Sequence, residues 1–392
     1  MDVADLGLWL AGAAKEREDL GALFEAFCFE LRQRGSIINR GSLGLEGLDP
    51  EVGGSRYVWE EDAVRHTSVP RAGVVQSPGY QNSPMRIVDE TGEPFRQRLT
   101  GAQAMPLLEE LRLSGATDYA MFPMPFVDRT RSAVISYSTQ SLAGFSDAEL
   151  HALGLATDLF GPYAERQVLR QIAVDLLDVY VGPHTGRRII EGHVERGDVE
   201  TIEAAIWLAD LRGFTRRSET AAIKEVLKGL NAWLEAMVTS IHEHDGEVLK
   251  FIGDAVLAIF PTGPEHSGRG ACEAALAAAE GACRQTDDVN RRRAEKGLWP
   301  LEFGLGLHFG EVVYGNIGAP RRLDFTVIGA AVNRASRLQE LSKQLRRRVI
   351  ISGTFAGYTK GPLVPLGIHR LRDVSEPQSV YGLPADAGAN PI

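Results

Sequence analysis

The stretch Ile206-Trp207-Leu208-Ala209-Asp210-Leu211-Arg212-Gly213-Phe214-Thr215 is an apolar run that stops abruptly at a carboxylate. A second stretch, Val248-Leu249-Lys250-Phe251-Ile252-Gly253-Asp254-Ala255-Val256-Leu257-Ala258-Ile259-Phe260, reads as two strands joined by the two-residue turn Gly253-Asp254, with glycine first. Each carboxylate therefore closes a buried strand. A single aspartate at a strand end is usually a cap or a turn residue. Two brought together make a hard anionic site for divalent cations.

A third stretch, Phe325-Thr326-Val327-Ile328-Gly329-Ala330-Ala331-Val332-Asn333-Arg334-Ala335-Ser336-Arg337, reads as a strand running into a helix. Asn333 and Arg337 are four apart and share a helix face. An arginine there offers phosphate a planar fork of donors, and an asparagine can orient a sugar. The bland reading is a surface pair on a helix. At these three stretches the chain resembles the class III nucleotidyl cyclases, over roughly residues 200–385.

The resemblance implies attack of a ribose 3′-oxygen on the α-phosphate of the same nucleotide, releasing pyrophosphate. Two Mg²⁺ or Mn²⁺ ions per site are implied as cofactors, held by Asp210 and Asp254, with the Leu211 carbonyl as a further oxygen. Asn333 would position the ribose, and Arg337 would stabilise charge building on the α-phosphate. Lys250 and Thr326 occupy the family's base-selecting positions, where Lys with Asp or Thr marks adenine and an acid with a small residue marks guanine. The chemistry agrees. Lysine donates to adenine N1 but confronts the N1–H donor of guanine, and threonine accepts from adenine N6. A mismatched buried donor costs ~1–3 kcal/mol, so the pair predicts at least roughly ten-fold preference for ATP. Arg372 lies near the family's triphosphate-binding cation, with Arg347 or Arg348 as second candidates. The family's sites form between two domains. One domain carrying both residue sets implies a homodimer with two equivalent sites.

Composition sets the frame. The chain has 392 residues, enough for two domains each with its own core. Its net charge of −10 supplies no global basic field for nucleic acid or anionic membrane. The runs Arg291-Arg292-Arg293 and Arg346-Arg347-Arg348 are local, and most such runs are solvated faces. Cys28, Cys272 and Cys283 show no metal or CxxC spacing, which fits a reducing compartment. No segment has the apolar length of a membrane span. The start Met1-Asp2-Val3-Ala4-Asp5-Leu6 lacks a basic n-region. A cytosolic protein is expected.

Three parts follow along the chain, with no internal repeat. Residues 1–162 open with an amphipathic helix through Leu20, Leu23, Phe24, Phe27 and Leu31, ended by Gly35. Strand-like runs follow, such as Tyr57-Val58-Trp59 and Ala133–Tyr137. A last helix starts at Ser146, with Glu149 completing a capping box. Helix, strands, helix, strands, helix is the order of a GAF-like sensory domain for an unidentified small molecule or other signal. Cys28 belongs to the core, and Tyr57, Trp59 and His66 either line a pocket or pack.

Residues 163–199 form a helical linker. Leu169, Ile172, Leu176 and Val179 fit either a short parallel coiled coil or a helix packed on its own domain. Gly182–Arg188 resembles the transducer element preceding many cyclase domains, and His184 and His193 read as structural or solvated.

Residues 200–385 continue with a helix along Ile223, Val226, Leu227, Leu230, Trp233, Leu234, Val238 and Ile241, stopped at Asp245-Gly246 with the glycine in a left-handed cap. An Ala-rich helix occupies 267–296. Phe303–Phe309 turns at Gly310-Glu311 into Val312-Val313-Tyr314, and the strand Val349–Ser352 follows the Asn333 helix. The order βααββαββαβ predicts an α+β fold. It is a ferredoxin-like, palm-type sheet with helices over one face, preceded by a smaller α/β GAF-like domain and the linker. A guanylate or broad-specificity cyclase, or an inactive nucleotide-binding signalling module, stays open as the alternative.

Overall fold

The computed structural model describes residues 3, 5–17, 19–46, 52–70, 75–124, 126, 133–263 and 267–384. Met1 and Asp2 of the acidic start lie outside them, as does residue 385. Two compact units are present, Met1–Leu176 and Leu177–Ile392, and the division falls inside a helix.

The first unit comprises α1 (Leu6–Glu16), α2 (Leu20–Gln33), β1 (Arg40–Glu46), β2 (Val52–Glu60), β3 (Ala63–Pro70), α3 (Pro78–Gln81), α4 (Pro84–Thr91), β4 (Phe95–Arg98), α5 (Pro106–Leu113), β5 (Asp118–Pro123), β6 (Ala133–Thr139) and most of α6 (Asp147–Val181). Its sheet runs β3-β2-β1-β6-β5-β4, every pair antiparallel. Helix α2 forms on the spacing read above, with Leu20, Leu23, Phe24, Phe27, Cys28 and Leu31 buried. Asp19 caps it by accepting from the Ala22 amide at 2.8 Å, and Gly35 follows its end at φ 88°. Tyr57 and His66 stack with centroids 4.6 Å apart, and Trp59 is fully buried. These residues pack.

Helix α6 departs from the sequence reading in two ways. It runs unbroken through Pro162, whose neighbours Phe160, Gly161 and Ala164 are buried. Its capping box is half formed: the Ser146 hydroxyl accepts from the Glu149 amide at 3.2 Å. The Glu149 carboxylate instead accepts from the Ser36 hydroxyl at 2.7 Å and the Ile37 amide at 3.1 Å. In the linker stripe, Ile172 is buried and Leu176 partly so in the first unit's core. Leu169 and Val179 are exposed.

The second unit contains α7 (Pro183–Ile190), β7 (Val199–Leu211), α8 (Phe214–Thr220), α9 (Ile223–His242), β8 (Glu247–Ile252), β9 (Ala255–Pro261), α10 (Gly268–Ala294), β10 (Phe303–Ala319), β11 (Arg322–Ile328), α11 (Ala330–Gln344), β12 (Val349–Ser352), α12 (Gly353–Ala356), β13 (Val364–His369) and β14 (Gln378–Gly382). The sheet order is β13-β14-β12-β10-β7-β9-β8, with β11 hairpinned onto β10. Strand direction is mixed, because β12 lies parallel to β10.

The α+β class is as expected, but helices cover both faces of the sheet. The cause lies in β7, where Ala204 through Ala209 are buried without alternation. Ala205, Trp207 and Ala209 pack against α9 and α10. Ala204, Ile206 and Leu208 pack on the opposite side, where Ala331 and Ala335 of α11 lie.

Strand β10 is continuous where a turn at Gly310-Glu311 is expected. It pairs with β7 from Phe303 to Gly315, placing Gly310 opposite Ala204. A Cβ on Gly310 would sit 3.1 Å from the Ala331 Cβ, and one on Gly306 would strike the Ala335 carbonyl. These glycines let α11 lie close on the strand. Helix α9 also stops differently: Asp245 takes the left-handed conformation at φ 59°. Gly246 is needed because a Cβ there would strike the Phe260 ring. Among the described residues, no helix is long and apolar enough to cross a membrane.

Candidate active site

Asp210 lies one residue from the end of β7, opposite Gly304 of β10 and Ala255 of β9. Asp254 sits in the two-residue turn between β8 and β9, where Gly253 supplies φ 65°. The Leu211 amide donates to the Asp254 carbonyl at 3.3 Å, which pins the turn beside the end of β7. The two carboxyl groups stand side by side at adjoining strand ends, close enough for the charge of Asp254 to act on Asp210. Burial, then the Asp254 charge, pushes the Asp210 carboxyl up to about 6, while the Leu211 backbone pulls it back.

Two carboxyls held this close repel when ionised, and a dication relieves that repulsion. The residues therefore fit a metal. Among the described residues, no group of three or more His, Cys, Asp or Glu side chains is placed to hold one. Two carboxylates completed by main-chain, substrate and water oxygens match the habit of Mg²⁺. His193 instead meets Asp198 at 3.2 Å, and His184 is exposed.

Lys250, on β8, forms an ion pair with Asp324 of β11. Asp324 and Thr326 are two apart on that strand and share a face, so the pair draws Lys250 toward the face carrying Thr326. Thr326 is 5 % exposed, and its buried hydroxyl has no hydrogen-bond partner. A cavity of about 530 Å³ lies beside Lys250 and Asp324, lined also by Val181, His242, Leu323 and Phe325. Strand β8 is anchored at its other end. Buried Glu247 accepts from the Thr185 hydroxyl of α7 at 2.9 Å and from the Tyr314 hydroxyl at 2.8 Å.

Asn333 is exposed on α11. Arg337 follows one turn later, held by Glu340 at 2.8 Å and Asp373 at 3.2 Å. Asp373 also lies 3.4 Å from the exposed Arg372, so Arg337 and Arg372 converge on one carboxylate. Of the other cations weighed for the triphosphate, Arg348 is committed to Asp287 at 2.7 Å. The Arg347 carbonyl accepts from Arg212 at 2.7 Å.

The structure thus gathers the sequence candidates into three groups. One is Asp210, Leu211 and Asp254; another is Lys250 with Thr326; the third is Asn333, Arg337 and Arg372. Among the described residues, no hydrogen bond or ion pair joins one group to another. Sequence reasoning missed Asp324, Glu340 and Asp373, the carboxylates that hold Lys250 and Arg337. For Asp324 a signal existed: it stands two before Thr326, on the same strand face.

Residues 199–360 match the model of a family described as the adenylate and guanylate cyclase catalytic domain. An adenylate cyclase of Anabaena cylindrica is 35% identical over 160 residues, which is 41% of this chain and 31% of that protein. Adenylate cyclase 1 of Rhizobium meliloti is 29% identical over 214 residues, 53% of this chain and 32% of that protein. The chain spans about a third of the length of these curated relatives. The structure of a bacterial light-regulated adenylyl cyclase superposes with a TM-score of 0.50 at 24% identity, covering 58% of this chain and 65% of that one. That likeness concerns the fold.

Proposed function

We propose, on the premise that residues 199–360 belong to the adenylate and guanylate cyclase catalytic domain family, that the chain converts ATP to 3′,5′-cyclic AMP and pyrophosphate. The observation that carries this is the placement of Asp210 and Asp254 at adjoining strand ends, pinned by the bond from the Leu211 amide to the Asp254 carbonyl. Asp210 and Asp254 would hold two Mg²⁺ or Mn²⁺ ions, with the Leu211 carbonyl as a further oxygen. When bound, the ions neutralise triphosphate charge and lower the pKa of the ribose hydroxyl.

The chain's own groups do the rest. Lys250 donates to adenine N1, and the uncommitted Thr326 hydroxyl accepts from N6. Asn333 orients the ribose. Arg337 exchanges its carboxylate partner Asp373 for the α-phosphate and offsets the charge that builds there. Arg372, exposed at the same carboxylate, meets the triphosphate tail. Among the described residues no hydrogen bond or ion pair joins the three groups within one chain, which supports a homodimer. In it, the carboxylate pair of one copy faces Lys250, Thr326, Asn333 and Arg337 of the other. We propose a cytosolic location, where ATP is supplied.

The direct test is purified full chain with ATP or GTP and Mn²⁺, scored for cyclic product. ATP should be preferred at least roughly ten-fold. Lys250→Glu combined with Thr326→Cys should move preference toward GTP. A large loss of rate should accompany it, because the new carboxylate would face Asp324. ATP selectivity unchanged in the double variant would place base recognition elsewhere.

We further propose that residues 1–199 regulate this activity. Helix α6 continues from the first unit's core into the second unit. Helix α7 grips β8 through Thr185 and Glu247, three residues before Lys250. A fragment beginning near Gly197 should therefore differ in rate from the full chain at equal dimer occupancy. Equal rates would reduce the first unit to a dimerisation device.

A further inference from the structure

The first unit's sheet has two unlike faces. One is apolar and packs on α1, α2 and α6. The other, partly covered by the cluster that includes α4 and α5 residues, carries a polar row. Arg40 pairs across β1 and β6 with Ser138, and Ser42 with Ser136. Tyr119 of β5 stands opposite Ser138. All five are at least nine-tenths buried, and Arg40 is 9 % exposed. Arg56 adds a second guanidinium, donating to the Ser42 hydroxyl at 3.4 Å.

Arg40 makes no hydrogen bond or ion pair among the described residues. Its cross-strand neighbour Glu60 is taken by Arg65 at 2.9 Å. Burial, then the Arg56 charge, lowers the Arg40 pKa, and Tyr119, Glu60 and Glu110 pull it back up. The Tyr119 hydroxyl, pushed up to about 12 by burial, is pulled back by Ser136, Arg40 and Arg56. Two guanidiniums and several hydroxyls therefore share one sheet face, and no acid is bound to Arg40. The Arg40 nitrogens are not among the fully enclosed polar atoms that lack a partner, so water reaches the guanidinium and an anion there would replace that water.

A cavity of about 250 Å³ opens at Arg40, lined also by Ser138, Asn39, Gln140, Arg32, Glu60 and Glu61. Arg32 is engaged by Asp62 at 2.7 Å. The volume is below that of sites for drug-sized ligands. Glu60 and Glu61 at the wall disfavour a polyanion.

We propose that Arg40 anchors a binding site for one compact oxyanion, a carboxylate or phosphate group on a small molecule, in the first unit. The guanidinium fork meets two oxygens, and the Ser138 hydroxyl donates to the same group.

Thermal unfolding of the full chain tests this, with sodium phosphate or sodium succinate against sodium chloride at equal ionic strength and pH. One of the two anions should raise a melting transition saturably, by roughly 5 °C at hundred-fold excess over its Kd. A shift with phosphate alone assigns a phosphate group, and one with succinate alone a carboxylate. Arg40→Gln should abolish the shift yet melt in chloride no lower than wild type, because the guanidinium it removes has no protein partner. Ser138→Ala should weaken the shift and leave the chloride melt in place. The site does not exist if neither anion acts beyond chloride, or if Arg40→Gln shifts like wild type. An Arg40→Gln protein melting well below wild type in chloride would make the arginine structural and equally end the proposal.

Discussion

Asp210→Asn is expected to abolish cyclic product and, in metal-free buffer at neutral pH, to make the protein more stable than wild type. A purely structural aspartate would behave oppositely. The Asp210 carboxyl is pushed up to about 6, first by burial and then by Asp254. At neutral pH it is therefore ionised at a cost. Removing that charge should stabilise the metal-free protein by about 1–2 kcal/mol once partial solvent screening is allowed for. The sign with pH follows. A carboxyl raised in the folded state is relieved by protonation, so wild-type stability should climb relative to the variant as pH falls through about 6 toward 3.8. The variant's advantage should then disappear. Adding Mn²⁺ with a non-reactive ATP analogue should reverse the neutral-pH order, because only wild type retains both anionic ligands. Urea unfolding in chelator across this pH range, beside a product assay, checks every arm. A variant no more stable than wild type would mean that the carboxyls do not repel. One keeping more than about a tenth of the Mn²⁺-supported rate would remove Asp210 from the metal site. Asp254→Asn should lose activity to the same degree.

That pair of aspartates was legible because each interrupts an apolar strand at its end, and Gly253 announced the turn. Other parts were hidden for identifiable reasons. Gly310 reads as a turn residue in one dimension, but its lack of a Cβ serves the approach of Ala331. One sequence does not separate these two uses of glycine. Pro162 reads as a boundary, yet buried neighbours on both sides carry α6 through it. The apolar run of β7 was seen, but its burial on both faces implies helices on both, a step that the periodicity of the helices does not supply. Long-range ion pairs were the least accessible. Nothing local marks Asp373 as the partner of Arg337, or Asp287 as the partner that occupies Arg348. In the first unit the signal was an absence: Arg40 reads as an ordinary strand residue until its buried surroundings prove to hold no acid bound to it.

Mixed dimers built from Asp254→Asn chains and Arg337→Ala chains are expected to recover about one quarter of wild-type activity, although each variant alone is inactive. Within one chain Arg337 is bound to Glu340 and Asp373. Among the described residues, no hydrogen bond or ion pair links it to the Asp210–Asp254 pair. If each site draws its carboxylates from one copy and its arginine from the other, a mixed dimer has one site with both groups intact. Its second site inherits both defects. Random equimolar exchange makes about half the dimers mixed, and each of those carries one working site of two. Co-expression with distinct tags, followed by tandem purification, isolates the mixed species and should raise its activity to about half of wild type per dimer. The readout separates geometry from stability, because a fold defect in either variant would lower both sites of the mixed dimer together. Purified mixed dimers with no activity would place Asp254 and Arg337 in the same chain's site. Arg337 would then have to leave Glu340 and Asp373 for a substrate held by its own chain's carboxylates.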